Sequence, residues 1–152
     1  MLPIEISRAR REGQTLSVVM IDVDNFKRLN DAHGHEAGDY ALQRIAAVLR
    51  SALRASDLAC RYGGEEFTVV MPDVDASGAA QKMHSICAAL RESGVTYRGA
   101  RLPLTLSAGV AEIPAAGGSP GALLRAADAA LYRAKQTGRD RVCEAETRLE
   151  SS

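Results

Sequence analysis

Three carboxylates in this sequence lie at the ends of predicted strands, one at the end of a buried strand and two directly after the turn of a tight hairpin. Asp22 closes the apolar run 16–23, and Glu65 and Glu66 directly follow a Gly-Gly pair. If the strands are neighbours, these side chains converge at one edge of a sheet. Such oxygen ligands suit Mg²⁺, which takes its other ligands from water and phosphate, and a two-metal site could activate a hydroxyl and neutralise a triphosphate. Taken alone, acidic residues beside such a turn are more commonly just solvated.

Basic residues that could hold phosphate occur at two other places. Lys135 and Arg139 are four residues apart near the end of the last predicted helix, and Lys27 lies at the start of a short one. These side chains could bind the β- and γ-phosphates of a triphosphate. Basic residues also favour helix C-termini because of the helix dipole, and by spacing alone that explanation is the stronger one for Lys135 and Arg139.

An amide and a carboxylate, Asn30 and Asp39, flank the loop that contains His33 and His35. A carboxylate can accept from the N1–H and exocyclic amine of guanine, and an amide can bond N3 and the amine. The simpler alternatives are a turn for Asn30 and a helix cap for Asp39. The two histidines are a weak metal signal, because His-Gly-His inside a turn is more often structural.

Two further polar patterns have simple structural explanations. Asp24 precedes the short helix that begins near Asn25, so we expect its side chain to cap that helix. Arg54 and Asp57 are three residues apart, which is one of the commonest patterns in proteins. By itself it indicates only a surface ion pair worth well under about 1 kcal/mol.

The spacing of apolar residues predicts the elements that must position these groups. Strands are predicted over 16–23, 57–62, 66–71, 95–97, 104–113 and 141–145. Helices are predicted over 25–32, 36–53, 76–92 and from 119 to about 137, with the end of another over 4–11 and a loop at 117–118. Two βα halves around a central hairpin indicate a ferredoxin-like α/β (α+β) fold, with helices packed on one sheet.

Composition limits the class of protein. The 152 residues suit one domain, and 46% hydrophobic and 25% charged residues are typical of a globular one. A formal net charge of zero argues against a binder of nucleic-acid polymers or membrane surfaces. The three cysteines are scattered, and no apolar run approaches about 18 residues. We therefore expect a cytoplasmic domain without a membrane segment.

The order and wording of the motifs resemble one family. Five segments look like those of GGDEF domains, the catalytic domains of diguanylate cyclases, with GGEEF in place of the name motif. Together they cover nearly the whole chain: 21–31, 33–39, 61–67, 106–111 and 126–139. The resemblance implies a nucleotidyl cyclase palm-type fold, in which a mostly antiparallel five-stranded sheet is flanked by helices.

The resemblance also implies a reaction. Two GTP molecules condense to cyclic di-GMP and two pyrophosphates in a homodimer, with Mg²⁺ or Mn²⁺. Glu65 is the implied acceptor of the 3′-hydroxyl proton, and Glu66 and Lys27 complete the implied catalytic set. The other implied roles are metal ligation by Asp22, the Val23 carbonyl, Glu65 and Glu66, guanine binding by Asn30 and Asp39, and phosphate binding by Lys27, Lys135 and Arg139.

A product site is implied as well. Arg54 and Asp57 stand in the register of the family's Arg-x-x-Asp motif, which binds cyclic di-GMP as an inhibitor. The further arginine that the following helix often supplies has no clear match, with Arg91 one candidate. The leading alternatives are a catalytically weak cyclic di-GMP receptor and another palm-fold nucleotidyl enzyme, although receptors of that type usually have degenerate hairpins.

The chain begins beyond the Asp-x-Leu-Thr-Gly-Leu stretch with which such domains usually start. We therefore expect residues 1–152 to form a single GGDEF domain, truncated at its N-terminus and separated from a regulatory domain. Asp140 stands where asparagine is common after Gly-Arg, which is a minor departure.

Overall fold

The computed structural model of the chain describes residues 13–113 and 119–146. The helix expected over 4–11 and the loop expected at 117–118 lie outside these residues. The strands are β1 (Leu16–Val23), β2 (Leu58–Tyr62), β3 (Glu66–Pro72), β4 (Val95–Tyr97), β5 (Ala100–Leu102), β6 (Leu106–Ile113) and β7 (Arg141–Glu144). The helices are α1 (Phe26–His33), α2 (His35–Ala52), α3 (Ala76–Ser93) and α4 (Pro120–Gln136).

Five strands form one sheet in the order β2-β3-β1-β6-β7. All neighbouring pairs are antiparallel except β6 and β7, which run parallel. The predicted mostly antiparallel five-stranded sheet flanked by helices is therefore confirmed. The central strand is β1, and its continuous apolar sequence reflects burial on both faces of the sheet.

The two faces of β1 belong to different parts of the core. Val19, Ile21 and Val23 pack with apolar residues of α1, α2 and α3. Leu16 and Val18 belong to the cluster that includes the start of α4. Because side chains alternate along a strand, even-numbered positions of β1 face α4. Asp22 therefore lies on the face that α4 covers.

Helix α4 approaches the sheet closely at Gly109 of β6. A Cβ atom at Gly109 would lie 2.2 Å from both the Ala127 carbonyl oxygen and the Leu131 backbone nitrogen. Only glycine leaves room for this helix–strand contact, and the helix meets the sheet through buried alanines such as Ala127, Ala130 and Ala134. This close packing carries the end of α4 to the C-terminal end of β1.

A second, two-stranded sheet of β4 and β5 was not predicted in full, because only the first strand was expected. Arg98 and Gly99 turn between the strands with φ of 51° and 82°, and Arg-Gly is not one of the common sequence signals for such a turn. The hairpin packs on α2. The rings of Tyr97 and Tyr40 lie 5.3 Å apart, and the Tyr97 hydroxyl donates to Glu36 at 3.3 Å.

The helices of the described residues are all too short or too polar to span a lipid bilayer.

Candidate active site

Strand register brings the carboxylates to one edge of the sheet. Asp22 is paired with Glu66 across β1 and β3. The Val23 N–H donates to the carbonyl oxygen of Glu65 at 3.2 Å, so the β2–β3 hairpin is tied to the end of β1. Within the hairpin, the Arg61 Nε donates to the Gly64 carbonyl at 3.0 Å. The backbone therefore brings Asp22, Glu65 and Glu66 to the same end of the sheet, and their joint role in one metal site stays a prediction.

Asp22 is buried and only partly satisfied. Its side chain is 8% exposed, and Lys135 from α4 donates a hydrogen bond to its Oδ2. Its Oδ1 is buried and has no hydrogen-bond partner among the described residues. A buried carboxylate oxygen without a partner is uncommon and points to a ligand that the protein itself does not supply.

The charge around Asp22 is predominantly negative. Burial raises the pKa of Glu65, the charges of Asp22 and Glu66 raise it further, and Lys135 opposes them. One ammonium group therefore does not balance three carboxylates, whereas a divalent cation would. Among the described residues, no three His, Cys, Asp or Glu side chains are close enough to hold an ion by themselves. The donor set fits Mg²⁺, which draws other ligands from water and phosphate.

The expectation that Asp24 caps α1 is wrong. The N-cap of that helix is Asn25, in the left-handed region with φ 55°, and no side chain caps it. Asp24 instead accepts hydrogen bonds from Ser107 Oγ at 2.6 Å, Thr105 Oγ1 at 2.7 Å and the Asp140 N–H at 2.9 Å. Asp24 lies just beyond β1, where its N–H donates to the Thr105 carbonyl at 2.9 Å, so its side chain is held beside the residues that lead into β6.

The start of α1 therefore has no side-chain cap on its first N–H groups. Uncapped N–H groups at a helix N-terminus, together with the helix dipole, favour an anion there. Lys27 lies in this first turn with its side chain 91% exposed and contacts Asp31 at 3.5 Å. The structure does not bring Lys27 into contact with the carboxylates, so its catalytic role stays a prediction.

Asn30 of α1 packs against α2 at Gly38, the residue before Asp39. A Cβ atom at Gly38 would lie 1.8 Å from Asn30 Oδ1, so Asn30 packs directly on the residue before Asp39. Asn30 Oδ1 is buried with no partner among the described residues, and Asp39 is exposed. An amide oxygen without a partner and an exposed carboxylate can together pair with a ligand edge that carries both donors and acceptors.

The two cations of α4 have different surroundings. Lys135 reaches Asp22, as described above. Arg139 follows the helix in a turn, with φ 63°, and its N–H donates to the Ala134 carbonyl at 2.9 Å. Its side chain is exposed. The helix-dipole explanation favoured by spacing is thus incomplete, since Lys135 has a specific partner that lies far from it in the sequence.

Arg54 and Asp57 form a bonded unit at the other end of the sheet. Arg54 Nη2 donates to Asp57 Oδ1 at 2.8 Å and to the Pro72 carbonyl at 2.7 Å. The Asp57 side chain is 2% exposed, whereas that of Arg54 is 47% exposed. Pro72 pairs with Leu16 at the start of β1, about 20 Å along the strand from Asp22.

Arg91 does not join Arg54 and Asp57. Its guanidinium pairs with Asp140 at 2.9 and 3.0 Å, in the turn after α4. That turn is bonded to Asp24 at the C-terminal end of β1, so Arg91 lies at the opposite end of the sheet from Arg54. The suggestion that Arg91 completes an Arg54 site is wrong.

Sequence reasoning missed the part that Gly38 and Asp140 play in the site. The only signal for Gly38 is a glycine inside a predicted helix, which often marks a close approach. The signal for Asp140 is its departure from the asparagine common at that position, and nothing in the spacing connects it with Asp24 or Arg91.

The fold and the site define a class: an α+β domain of the nucleotidyl cyclase type, with carboxylates, cations and an orphaned amide gathered around one end of a palm-like sheet. The chain belongs to the GGDEF family. The family model described as "Diguanylate cyclase, GGDEF domain" matches residues 1–141.

Curated relatives agree with this assignment. The chain is 39% identical over 137 residues to Diguanylate cyclase A of Treponema denticola, covering 90% of the chain and 37% of that protein. It is 42% identical over 139 residues to the response regulator PleD of Caulobacter vibrioides, covering 90% of the chain and 31% of that protein. The chain thus spans about a third of the length of these relatives.

Solved structures are similar throughout. The GGDEF domain of DgcB from Caulobacter crescentus, in complex with c-di-GMP, matches with TM-score 0.88 and 33% identity over 96% of this chain and 86% of that chain. The active GGEEF domain of a diguanylate cyclase from Vibrio cholerae matches with TM-score 0.88 and 32% identity over 96% of this chain and 92% of that chain.

Proposed function

We propose that this chain condenses two GTP molecules to cyclic di-GMP and two pyrophosphates, with Mg²⁺ or Mn²⁺ as cofactor. The observation that carries the proposal is Asp22, a buried carboxylate with an orphaned oxygen, held beside Glu65 and Glu66 and bonded to Lys135. That arrangement fits a site for a divalent cation and phosphate. Each 3′-oxygen bonds to the α-phosphorus of the other GTP, and pyrophosphate leaves.

The carboxylates have two tasks in this proposal. Asp22, the Val23 carbonyl, Glu65 and Glu66 would hold a divalent ion. A bound Mg²⁺ supplies charge neutralisation of the triphosphate and lowers the pKa of the attacking hydroxyl. Glu65 also accepts the 3′-hydroxyl proton. Its raised pKa suits this role, since a general base works best when its pKa approaches the working pH.

Guanine binding is assigned to Asn30 and Asp39. Asp39 accepts from the base N1–H and exocyclic amine, and the Asn30 amide bonds the same base edge. Adenine presents a different pattern there, with an acceptor at N1. A site with buried polar groups left unpaired by the wrong base discriminates strongly, which supports GTP over ATP as substrate.

Phosphate binding is assigned to the uncapped start of α1 and to Lys27, Lys135 and Arg139. Positive charge at the helix N-terminus and on three side chains suits the β- and γ-phosphates. Lys135 is bonded to Asp22, so a metal ion on that carboxylate would compete with the ammonium. Lys135 would then be available to bind phosphate.

The chemistry requires two copies of the chain. One domain offers one set of guanine, metal and phosphate groups, whereas the product needs two phosphodiester bonds. We infer an antiparallel homodimer in which each copy presents one GTP to the other. Because GTP is supplied in the cytoplasm, we place the domain there.

Incubation with GTP and Mg²⁺, followed by chromatography, tests the proposal. The chain is used alone and fused at its N-terminus to a parallel dimeric coiled coil, which raises the local concentration of the second copy. We expect one cyclic di-GMP for every two pyrophosphates, with no product from ATP or in EDTA. Binding of cyclic di-GMP without product from GTP in either format would contradict the cyclase and favour the receptor alternative.

Product inhibition is the finer part of the proposal. Arg54 is half-exposed and oriented by Asp57 and Pro72, so its guanidinium can bind a phosphate of cyclic di-GMP far from the carboxylates. Arg54→Ala is expected to raise the cyclic di-GMP concentration for half-inhibition by about tenfold or more, the loss of one charge-assisted contact. The measurement is the initial rate against added product.

Arg125→Ala provides the matched control, because Arg125 is an exposed arginine of α4. Cyclic di-GMP should inhibit this variant at the same concentration as it inhibits the parent. An unchanged inhibition curve for Arg54→Ala would show that the product site is misplaced.

A further inference from the structure

We propose that Asp24 is a positioning residue that fixes the turn 137–140, called here the phosphate turn, so that Arg139 faces the triphosphate. The inference rests on the proposed function and deepens it. It concerns a carboxylate that is not among the proposed metal ligands, since both oxygens of Asp24 are already bonded to protein groups.

The first support is the complete bonding of a buried charge. Asp24 is 4% exposed. Its Oδ1 accepts from Ser107 Oγ, and its Oδ2 accepts from Thr105 Oγ1 and from the Asp140 N–H, all within 2.9 Å. Its own N–H donates to the Thr105 carbonyl at 2.9 Å. A buried carboxylate bonded in this way is a fixed point, because each bond is charge-assisted.

The second support is the shape of the phosphate turn. Arg139 and Asp140 have φ of 63° and 48°, so two consecutive residues other than glycine adopt the left-handed region. Such residues persist only where surrounding contacts hold them. The Arg139 N–H is held by the Ala134 carbonyl and the Asp140 N–H by Asp24. Removal of the Asp24 carboxylate therefore releases the second of these contacts.

The third support is a clamp on the outer side of the same turn. The Asp140 carboxylate accepts two bonds from the Arg91 guanidinium, and Arg91 is held in turn because its carbonyl accepts from Arg101 Nη2 at 2.9 Å. A carboxylate can accept both bonds, whereas an asparagine side chain offers one acceptor. The turn is thus fixed between the end of β1 and helix α3.

The contacts of Asp24 reach the phosphate side of the site only. Asn30 and Asp39 belong to α1 and α2, and within the described part of the chain no hydrogen bond of Asp24 involves these residues or their helices. Loss of Asp24 should therefore weaken binding of the triphosphate and leave binding of the base unchanged. This difference separates positioning from general support of the fold.

The test uses the full 152-residue chain with Mg²⁺ and measures the dissociation constants of 3′-deoxy-GTP, which lacks the attacking hydroxyl, and of GMP. For Asp24→Ala we expect the preference for the triphosphate over GMP to fall about tenfold, because misplacement by about 1 Å is enough to cost that much. Asp24→Asn keeps one acceptor and should recover part of the preference. Adding Arg139→Ala to Asp24→Ala should cause little further loss.

Ser17→Ala is the matched control. Ser17 also makes a buried hydrogen bond from β1, to the Val74 carbonyl at 2.6 Å, but at the other end of the strand. It should lower Tm without changing the preference for the triphosphate. If Asp24→Ala does not fold, Asp24→Asn carries the test, with a loss of about threefold expected for one weakened hydrogen bond.

If the parent binds 3′-deoxy-GTP normally, three results would overturn this inference and leave the proposed function standing. These are an unchanged preference in both Asp24 variants, an equal loss for both nucleotides, and fully additive effects with Arg139→Ala. Failure of the parent chain to bind 3′-deoxy-GTP would overturn the proposed function as well.

Discussion

Replacing Glu65 with glutamine is expected to reduce cyclic di-GMP formation by about a thousandfold or more, with the fold unchanged. Glutamine cannot accept the 3′-hydroxyl proton and is a poorer ligand for Mg²⁺. Both losses fall on the reacting oxygen and not on the guanine side of the site. The turnover number, measured by product chromatography at saturating GTP, should therefore fall by a much larger factor than the factor by which the dissociation constant of GMP rises.

The same substitution should not weaken the metal-free protein. Burial and the charges of Asp22 and Glu66 raise the pKa of Glu65, so its ionised form is disfavoured in the folded state. Glu65 therefore stabilises the folded state below its unfolded pKa, and this stability is lost as the pH rises through its folded pKa. In EDTA at neutral pH, Glu65→Gln should thus unfold at the same Tm as the parent or slightly above it. Added Mg²⁺ should raise the Tm of the parent more than that of Glu65→Gln.

Glu112→Gln is the control for this experiment. Glu112 of β6 is a half-buried carboxylate that accepts from the Ala76 N–H at 2.6 Å, far along the strand from Asp22, and glutamine keeps an acceptor there. It should turn over like the parent. Turnover of Glu65→Gln within about tenfold of the parent would contradict the role of Glu65 as base and ligand.

Most of the fold could be predicted because its signals are local. The apolar run 16–23 and the helical spacing in α2, α3 and α4 place the elements within a residue or two of their observed ends. The hairpin at residues 98 and 99 was missed because its turn uses an arginine where asparagine or aspartate is the usual signal. Periodicity carries no information about such a residue.

The site was less predictable because its contacts join distant segments. From spacing alone, Asp24 was predicted to cap the nearest helix, whereas its side chain bonds to Thr105, Ser107 and Asp140. Spacing also favoured the helix dipole for Lys135, whose partner Asp22 lies on another element. Local chemistry predicts which residue types could act. Only the sheet register and the close approach of α4 determine which of them meet.

Gly38→Ala is expected to raise the dissociation constant for GTP by about a hundredfold, the effect of losing a base contact that leaves buried polar groups unpaired. The added Cβ would lie 1.8 Å from Asn30 Oδ1, 3.0 Å from Asn30 Cγ and 3.1 Å from Phe26 Cζ. The Asn30 side chain must therefore leave its position against Gly38. Because Phe26 is buried, the insertion should also lower the free energy of unfolding by about 1–3 kcal/mol.

A double variant separates the two effects. Combining Gly38→Ala with Asn30→Ala removes the closest clash, so part of the stability should return while GTP affinity stays low. Gly121→Ala is the matched control, since this glycine of α4 would place its Cβ no closer than 3.1 Å to the flexible end of Arg125. Alanine there should be neutral or stabilising by up to about 1 kcal/mol, with normal GTP affinity. Recovery of GTP affinity in the double variant would show that Asn30 does not read the base, because the helix contact alone would then account for the loss.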